Sequence, residues 1–121
     1  MERISVEQFK KINKKKSKYN SQKTEYNGRI YDSKKEAEYA KRLEWLRHAK
    51  NKSERVDTID YQVPYKIYIK NTYVFTYFAD FRVVYADGRV EVIDVKGYKT
   101  SIYRLKKKCV ETYYDFKIIE V

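Results

Sequence analysis

Cysteine and histidine each occur once in this chain of 121 residues, and no apolar run approaches the length of a transmembrane helix. A single cysteine, Cys109, excludes an intrachain disulfide and fits a reducing cytoplasm. A bilayer crossing needs about 20 mostly apolar residues in a row, so we expect no membrane span. The N-terminus carries lysines with no apolar segment behind them, so we also expect no signal peptide.

Proline occurs once and glycine three times, so each marks a definite point in the predicted structure. Pro64 falls inside an alternating apolar run and predicts an edge strand or a bulge. Asn27-Gly28 predicts a two-residue hairpin turn, because both turn positions need a positive φ. Gly88 predicts the left-handed residue of a second hairpin loop, and Gly97 ends the strand that follows.

Positive charge and aromatic side chains are abundant. The net charge is +11, from 28 Lys and Arg against 17 Asp and Glu, and 14 of the residues are Tyr. Such an excess of positive charge indicates a polyanionic partner, most often nucleic acid, although a Lys-rich composition is also typical of proteins from AT-rich genomes. The 42% hydrophobic content and the chain length predict one globular core.

The first 23 residues differ from the rest of the chain. Ser5 is placed to cap a short helix with Val6, Phe9 and Ile12 on one face, and a basic stretch without periodicity follows. We therefore predict a basic N-terminal helix and arm over residues 1–23 and a single domain over residues 24–121. The arm is either a solvated tail or a segment that lies along phosphates.

Periodicity over residues 24–121 predicts an α+β domain with a mixed sheet, in the order helix, three strands, helix, strand. Ser33 and Glu36 have the spacing of a capping box before a helix from Lys34 to about Lys50. The runs 59–69, 72–85 and 89–96 predict three meandering strands, of which the second is apolar on both faces and therefore central. Thr100 or Ser101 caps a second helix, and residues 116–121 form a last strand. The predicted apolar face of the second helix comprises Ile102, Leu105, Cys109, Val110 and Tyr113.

Two carboxylates meet in this predicted sheet. A three-residue loop ending at Gly88 pairs Tyr85 with Arg89, and the same register places Asp80 opposite Asp94, with Cβ atoms about 4.5–5.5 Å apart. Lys96 shares the face of Asp94, because strand side chains alternate. Two facing carboxylates need a cation or a raised pKa on one of them. If the cation is a metal ion, oxygen ligands without His or Cys favour Mg²⁺ or Mn²⁺. The alternative is a structural ion pair of either Asp with Lys96 or Arg82.

A third carboxylate would favour the metal, and Glu36 is the candidate. A helical wheel places Glu36 near the middle of the apolar stripe of the first helix, whereas Glu38 points the opposite way. The competing explanation for Glu36 is its place in the capping box with Ser33, which needs no active site.

A helical Glu, an Asp late in an apolar strand and an Asp-x-Lys on the next strand resemble the PD-(D/E)xK nuclease pattern. The elements are Glu36, Asp80 and Asp94-Val95-Lys96. The stretches DSKKEAEY, YFADF and DVKGYKTSIYRLKKK are also similar to a family of small uncharacterised phage proteins assigned to that superfamily. The resemblance begins at about Lys18, and Ala79 stands where a Pro often precedes the first Asp. It implies a restriction-endonuclease-like core.

The resemblance also implies roles for individual residues. Asp80 and Asp94 would bind Mg²⁺ or Mn²⁺, with the Val95 carbonyl as a further ligand. Glu36 would orient a metal-bound water or hold a second ion, and Lys96 would position the attacking water or stabilise the developing charge. Gln62 matches a Gln on the first strand of related nucleases; alternatively it is a polar residue on an edge strand.

The second helix and the residues before it are basic, and we expect them to contact DNA phosphates. These residues are Lys99, Arg104, Lys106, Lys107 and Lys108. Nothing resembles a base-reading module, so the expected activity is a Mg²⁺-dependent DNA endonuclease that selects a junction, branch or flap. It would act in the cytoplasm, that of the host if phage-encoded, with a homodimer expected for junction resolution. The alternative is a non-catalytic DNA-binding or partner-binding module on a nuclease fold.

Overall fold

The computed structural model describes residues 22–121. The predicted N-terminal helix with Val6, Phe9 and Ile12 lies outside these residues. The chain divides into two compact units, Met1–Glu38 and Tyr39–Val121, while the predicted division after residue 23 stays a prediction. Among the described residues, no helix has the length and apolar character required to cross a membrane.

The first unit contains the predicted hairpin. Strands β1 (Thr24–Tyr26) and β2 (Arg29–Tyr31) are antiparallel. The turn residues Asn27 and Gly28 have φ angles of 52° and 79°. Both positions are left-handed, as a two-residue turn of this type demands, so the prediction from Asn-Gly is confirmed.

Helix α1 (Lys34–Trp45) begins in the first unit and continues into the second, where a 3₁₀ turn (Leu46–His48) follows it. The Ser33 hydroxyl accepts a hydrogen bond of 3.1 Å from the Glu36 amide, which confirms the predicted cap. The α-helix ends before the predicted Lys50. In the polar segment that follows, the Asn51 side chain accepts from the Ser53 amide at 3.2 Å, and such local bonds compete with helix continuation.

The second unit is built on a mixed four-stranded sheet. Its strands are β3 (Val56–Ile69), β4 (Thr72–Tyr85), β5 (Val90–Asp94) and β6 (Ile118–Glu120), arranged in that order. The first three are antiparallel neighbours, and β6 is parallel to β5. The α+β class, the predicted chain order of helix, three strands, helix and strand, the central position of β4 and the edge position of Pro64 are confirmed.

The loop between β4 and β5 fixes the register of the candidate site. The Tyr85 amide donates to the Arg89 carbonyl at 2.9 Å, and Gly88 has a φ of 91°. The resulting ladder pairs Phe81 with Ile93 and Arg82 with Val92. This is the predicted register, and one position beyond its last pair it places Asp80 opposite Asp94.

Helix α2 (Ser101–Tyr114) is capped by the Thr100 hydroxyl, which accepts from the Tyr103 amide at 3.0 Å. Its predicted buried face is confirmed at Val110 and was wrong at Ile102, Leu105 and Tyr113. The helix buries Tyr103 and Val110, whereas Ile102 and Leu105 are 65% and 64% exposed. Tyr103 and Val110 lie seven residues apart and therefore share one face, from which Ile102 is about 100° away around the helix. The spacing of the apolar residues did not distinguish two adjacent faces.

The core lies on both sides of the sheet. On one side, a cluster joins the sheet to α2; it comprises Ile67, Tyr77, Ala79, Val92, Tyr103, Val110 and Ile118. On the other side, Phe81 contacts Tyr39 of α1, with ring centroids 5.6 Å apart. A regular strand would place Ala79 and Phe81 on the same face. The alternation of β4 is therefore interrupted at Asp80, the level at which the candidate site lies.

Candidate active site

Asp94 ends β5 and is completely buried. The Tyr77 hydroxyl donates a hydrogen bond to its Oδ2. Among the described residues, no hydrogen bond reaches Asp94 Oδ1, and Lys96 Nζ lies 3.4 Å from that oxygen. An ionised carboxylate without water needs opposite charge and donors. Asp94 therefore has one oxygen held by a phenol and one oxygen turned toward a cation.

Asp80 is held by two donors. Its Oδ2 accepts from the Val95 amide at 2.8 Å, and its Oδ1 accepts from Gln62 Nε2 at 3.1 Å. The backbone ladder between β4 and β5 ends at the pair of Phe81 and Ile93. The Asp80 side chain thus continues the link between the two strands beyond the last backbone pair. It also ties the edge strand β3 to the site through Gln62.

Lys96 lies between the buried acid and solvent. Its side chain is 32% exposed, and its Nζ stands 4.8 Å from the centroid of the Tyr103 ring. The Tyr103 hydroxyl donates to Glu120 Oε2 at 2.9 Å, which fixes that ring. The ammonium is therefore positioned by a carboxylate and an aromatic face, with part of the side chain reaching water.

The phenols of the site stay protonated well into the alkaline range. Burial raises the pKa of Tyr77, and the hydrogen bond to Asp94 raises it further. Burial likewise raises the pKa of Tyr103, with the negative charge of Asp94 as the next cause. A phenol with a raised pKa keeps its proton, so both hydroxyls remain donors at neutral pH.

Tyr77 is the residue of the site that sequence reasoning missed. It lies in a run that is apolar on both faces, and such a run gives no sign of a polar role for one of its residues. A buried Tyr, unlike Phe, brings a hydroxyl that needs a partner. Residues three apart, such as Tyr77 and Asp80, lie on opposite faces of a regular strand, and the face change at Asp80 could not be predicted.

Gln62 adopts an unusual backbone conformation. Its φ is 49°, in the left-handed region, although it lies inside β3. Such a conformation in a residue other than glycine costs on the order of 1 kcal/mol or more, and it persists where surrounding contacts enforce it. Strain of this kind is concentrated at functional sites. The predicted site residue thus coincides with a strained position whose side chain holds Asp80.

Glu36, the third carboxylate of the predicted site, belongs to the first unit. Glu36 is 6% exposed and belongs to Met1–Glu38, whereas Asp80, Asp94, Val95 and Lys96 belong to Tyr39–Val121. The predicted burial of Glu36 is confirmed; its role as a ligand stays a prediction. Within residues 22–121, no group of three or more His, Cys, Asp or Glu side chains has the geometry of a metal site. Asp94 Oδ1 is a buried carboxylate oxygen that no hydrogen bond reaches among the described residues. Oxygens of this kind are ligands that a divalent cation accepts, and the metal site itself stays a prediction.

The predicted DNA contacts fall into three groups. Lys99 and Lys107 pair with Glu120, at 3.7 Å and 2.9 Å, and the bond to Lys107 is the main cause of the lowered pKa of Glu120. Arg104 and Lys108 are exposed one helical turn apart. Lys106 Nζ stands 5.5 Å from the centroid of the Phe75 ring. Only part of this basic set is therefore directed at solvent.

The chain belongs to the family described as "Protein of unknown function (DUF1064)", whose family model matches residues 16–120. No curated protein and no solved structure matches the chain.

Proposed function

We propose that this protein is a Mg²⁺-dependent (or Mn²⁺-dependent) DNA endonuclease that hydrolyses phosphodiester bonds. The observation that supports the proposal best is the completely buried Asp94, whose Oδ1 faces Lys96 Nζ at 3.4 Å beside Asp80 on the neighbouring strand. Buried charge is costly, and a site that brings hard oxygen donors and a lysine to one strand end suits a divalent cation and a phosphate.

In this proposal, Asp80, Asp94 and the Val95 carbonyl would hold the ion. When bound, the divalent ion supplies Lewis-acid activation of the phosphodiester. Lys96 contributes positive charge where negative charge develops on the phosphoryl oxygens. Gln62 holds Asp80 in place through the 3.1 Å hydrogen bond to its Oδ1. Tyr77 fixes Asp94, so that Oδ1 rather than Oδ2 is presented.

We extend the proposal to the fold of the enzyme, its DNA substrate, its oligomeric state and its cellular compartment. We assign the second unit to the restriction-endonuclease-like core, supported by the mixed sheet with a parallel last strand. Basic residues of α2 contact phosphates without reading bases, so the enzyme selects a junction, branch or flap rather than a sequence. Junction resolution calls for a homodimer, and the single cysteine suits the cytoplasm.

Cleavage of a labelled panel tests the proposal: linear duplex, single strand, flap and four-way junction, each with Mg²⁺, Mn²⁺ or EDTA. We expect metal-dependent cutting by the wild type and none by Asp94→Ala. Asp57→Ala, which removes an exposed carboxylate from the start of β3, serves as the control and should cut normally. Cutting by Asp94→Ala at the wild-type rate would overturn the assignment.

A non-catalytic DNA-binding or partner-binding module is the second candidate function. It is favoured by the hydrogen bonds that satisfy both Asp80 oxygens and by the ion pair of Asp94 with Lys96, which together account for the charges structurally. Calorimetric titration with Mg²⁺ or Mn²⁺ separates the two candidates. A structural ion pair binds neither ion, whereas the nuclease binds at least one in an Asp94-dependent manner.

A further inference from the structure

The hairpin formed by β3 and β4 extends well beyond the rest of the sheet. Its strands pair along their whole length, from Val56 with Tyr85 to Ile69 with Thr72. Strand β5 pairs with β4 only over Phe81–Val84 among the described residues. The part of the hairpin from residue 63 to residue 79 therefore projects as a two-stranded ribbon.

The two faces of this ribbon have different surroundings. One face packs against the core cluster of α2, through Ile67, Tyr77 and the partly buried Tyr65 and Phe75. The register places the other set of side chains in three opposed pairs: Pro64 with Phe78, Lys66 with Thr76, and Tyr68 with Tyr73. We refer to these six residues as the aromatic face.

The aromatic face is open to solvent. Phe78 and Tyr73 are each 54% exposed, and Tyr68 is 40% exposed. The outer face of a half-buried sheet usually carries polar residues, because its other side supplies the core. Three exposed rings on one face of a short ribbon are therefore a feature that stability does not explain.

The rings are held in place. Tyr68 and Tyr73 contact each other edge to face, with centroids 5.8 Å apart and an interplanar angle of 66°. The Tyr73 hydroxyl and Thr76 Oγ1 share a hydrogen bond of 2.7 Å. A bulge between Ile67 and Tyr68 brings Tyr73 rather than Val74 opposite Tyr68, so the rings lie on the same side as Thr76. Rings that are already ordered lose little conformational entropy when a planar ligand stacks on them.

The charge of the ribbon favours a polyanion. Between Asp60 and Asp80 the sequence has no acidic residue, whereas Lys66 lies on the aromatic face and Lys70 at its tip. Aromatic rings beside cations, without acids, suit a strand with exposed bases and a phosphate backbone. An apolar protein partner would not require the exclusion of acidic residues.

We propose that the aromatic face is a stacking surface for unpaired nucleobases of a nucleic-acid strand. From Tyr68 to Gln62 the ribbon covers about 20 Å along β3, which leads from its tip to the level of Asp80. An unpaired strand that follows the ribbon from its tip thus reaches the level of Asp80, whose Oδ1 is held by Gln62. Strand binding by this surface stands on its own, whereas delivery of that strand for cleavage rests on the proposed nuclease function.

Fluorescence anisotropy of the full chain with a labelled oligothymidylate tests the inference. EDTA is present, so that binding is measured without cutting. Base stacking on a protein ring changes affinity by about tenfold per ring removed, so we expect Phe78→Ala to bind about tenfold more weakly and Tyr68→Ala/Tyr73→Ala more weakly still. The matched control is Trp45→Ala, which removes an aromatic residue that is 79% exposed on α1 and should leave binding unchanged.

Two further series of binding measurements vary the salt concentration and the oligonucleotide. The ring variants should keep the wild-type salt dependence, whereas Lys66→Gln should lower its slope by about one ion. A duplex of equal length should bind with no dependence on the rings, and an oligouridylate arm distinguishes RNA from DNA as the source of the bases. Circular dichroism checks that each variant is folded.

Wild-type affinity in the ring variants, or no oligonucleotide binding by the wild type, would overturn the inference. So would a wild-type dimer in sedimentation that the ring variants convert to monomer, because the occupant would then be a second copy. The nuclease proposal fails separately: if Asp94→Ala cuts DNA while Phe78→Ala loses binding, only the assignment of the acidic pair is lost.

Discussion

The Tyr77 hydroxyl donates to Asp94 Oδ2, so the fully buried carboxylate presents its other oxygen, Oδ1, to Lys96. Tyr77 and Asp94 lie on neighbouring strands, β4 and β5. Tyr77 belongs to the cluster that joins the sheet to α2. A buried carboxylate is stable only if its charge is compensated. The Tyr77 hydroxyl donates a hydrogen bond to the Asp94 carboxylate, and the Lys96 ammonium supplies the opposite charge.

Replacement of Tyr77 by Phe should destabilise the fold. The change leaves Asp94 Oδ2 without its donor, and an unsatisfied buried polar group costs about 1–3 kcal/mol. The measurement is urea unfolding followed by circular dichroism. Tyr73→Phe is the control: it removes an exposed hydroxyl bonded to Thr76 and should change the free energy of unfolding by less than about 0.5 kcal/mol. Equal losses in the two variants would show that the hydroxyl of Tyr77 has no special role.

Replacement of Lys96 by Gln should weaken the fold through Asp94. The Nζ to Oδ1 distance is 3.4 Å, but the Lys96 side chain is 32% exposed, so we expect a loss of about 1–2 kcal/mol, less than for a fully buried pair. A double-mutant cycle with Asp94→Asn checks the cause, because Lys96→Gln should cost little once the carboxylate is neutral. Additive losses would contradict the pairing.

Mg²⁺ should stabilise the Lys96→Gln variant if the acidic pair holds an ion. A ligand that binds only the folded state raises the melting temperature by mass action. We expect a Mg²⁺-dependent rise in the melting temperature of Lys96→Gln and none in Lys96→Gln/Asp94→Asn. A KCl solution of matched ionic strength serves as the control. A rise that survives in the double variant would place the ion elsewhere.

Much of the site could be predicted from the sequence because strand pairing follows from local rules. The loop before Gly88 fixed the register of β4 and β5, and that register alone placed Asp80 opposite Asp94. The role of Tyr77 could not be predicted, since it depends on an interrupted alternation at Asp80. The buried face of α2 was predicted only in part, because Ile102 and Leu105 have the spacing of a core stripe yet lie beside the face that packs. Periodicity reports that a helix is amphipathic, but packing decides which of two apolar faces is covered.

The corrected face of α2 gives a direct comparison of two substitutions. Val110 is completely buried and Leu105 is 64% exposed. Val110→Ala should lower the free energy of unfolding by about 1–3 kcal/mol, whereas Leu105→Ala should change it by less than about 0.5 kcal/mol. Both residues lie inside the helix, and each becomes Ala, so helix propensity does not explain the difference. Urea unfolding of the two variants measures it, and a larger loss for Leu105→Ala would return Leu105 to the buried face that its spacing predicts.

The backbone of Gln62 predicts an unusual order of variants. At a φ of 49°, a β-branched residue is strongly disfavoured, whereas Asn adopts this conformation readily. Gln62→Val should therefore lose about 1–3 kcal/mol, and Gln62→Asn less than about 1 kcal/mol. Lys66→Val is the control, because it introduces the same side chain at an exposed position of the same strand, where Val is favoured. Equal losses for Gln62→Val and Lys66→Val would show that Gln62 carries no backbone strain.

Protonation of Glu120 should contribute to the loss of folding stability at acidic pH. Its Oε1 accepts from Lys107 Nζ at 2.9 Å and its Oε2 accepts from the Tyr103 hydroxyl at 2.9 Å, and these bonds lower its pKa from the usual 4.5. Because the folded state holds the proton less tightly than the unfolded chain, Glu120 stabilises the fold above pH 4.5, and this contribution is lost as pH falls through its lowered pKa.

Glu120→Gln should accordingly be less stable than the wild type at neutral pH and should approach it in acid. Urea unfolding at a series of pH values from neutral to about 3 measures the difference, which should shrink below the unfolded-state pKa. Glu54→Gln removes an exposed carboxylate from the turn before β3 and is the control for the loss of one negative charge. If the offset of Glu120→Gln stayed constant with pH, its cause would be lost packing or hydrogen bonding rather than the charge of Glu120, and the ion pairs with Lys99 and Lys107 would contribute nothing to folding.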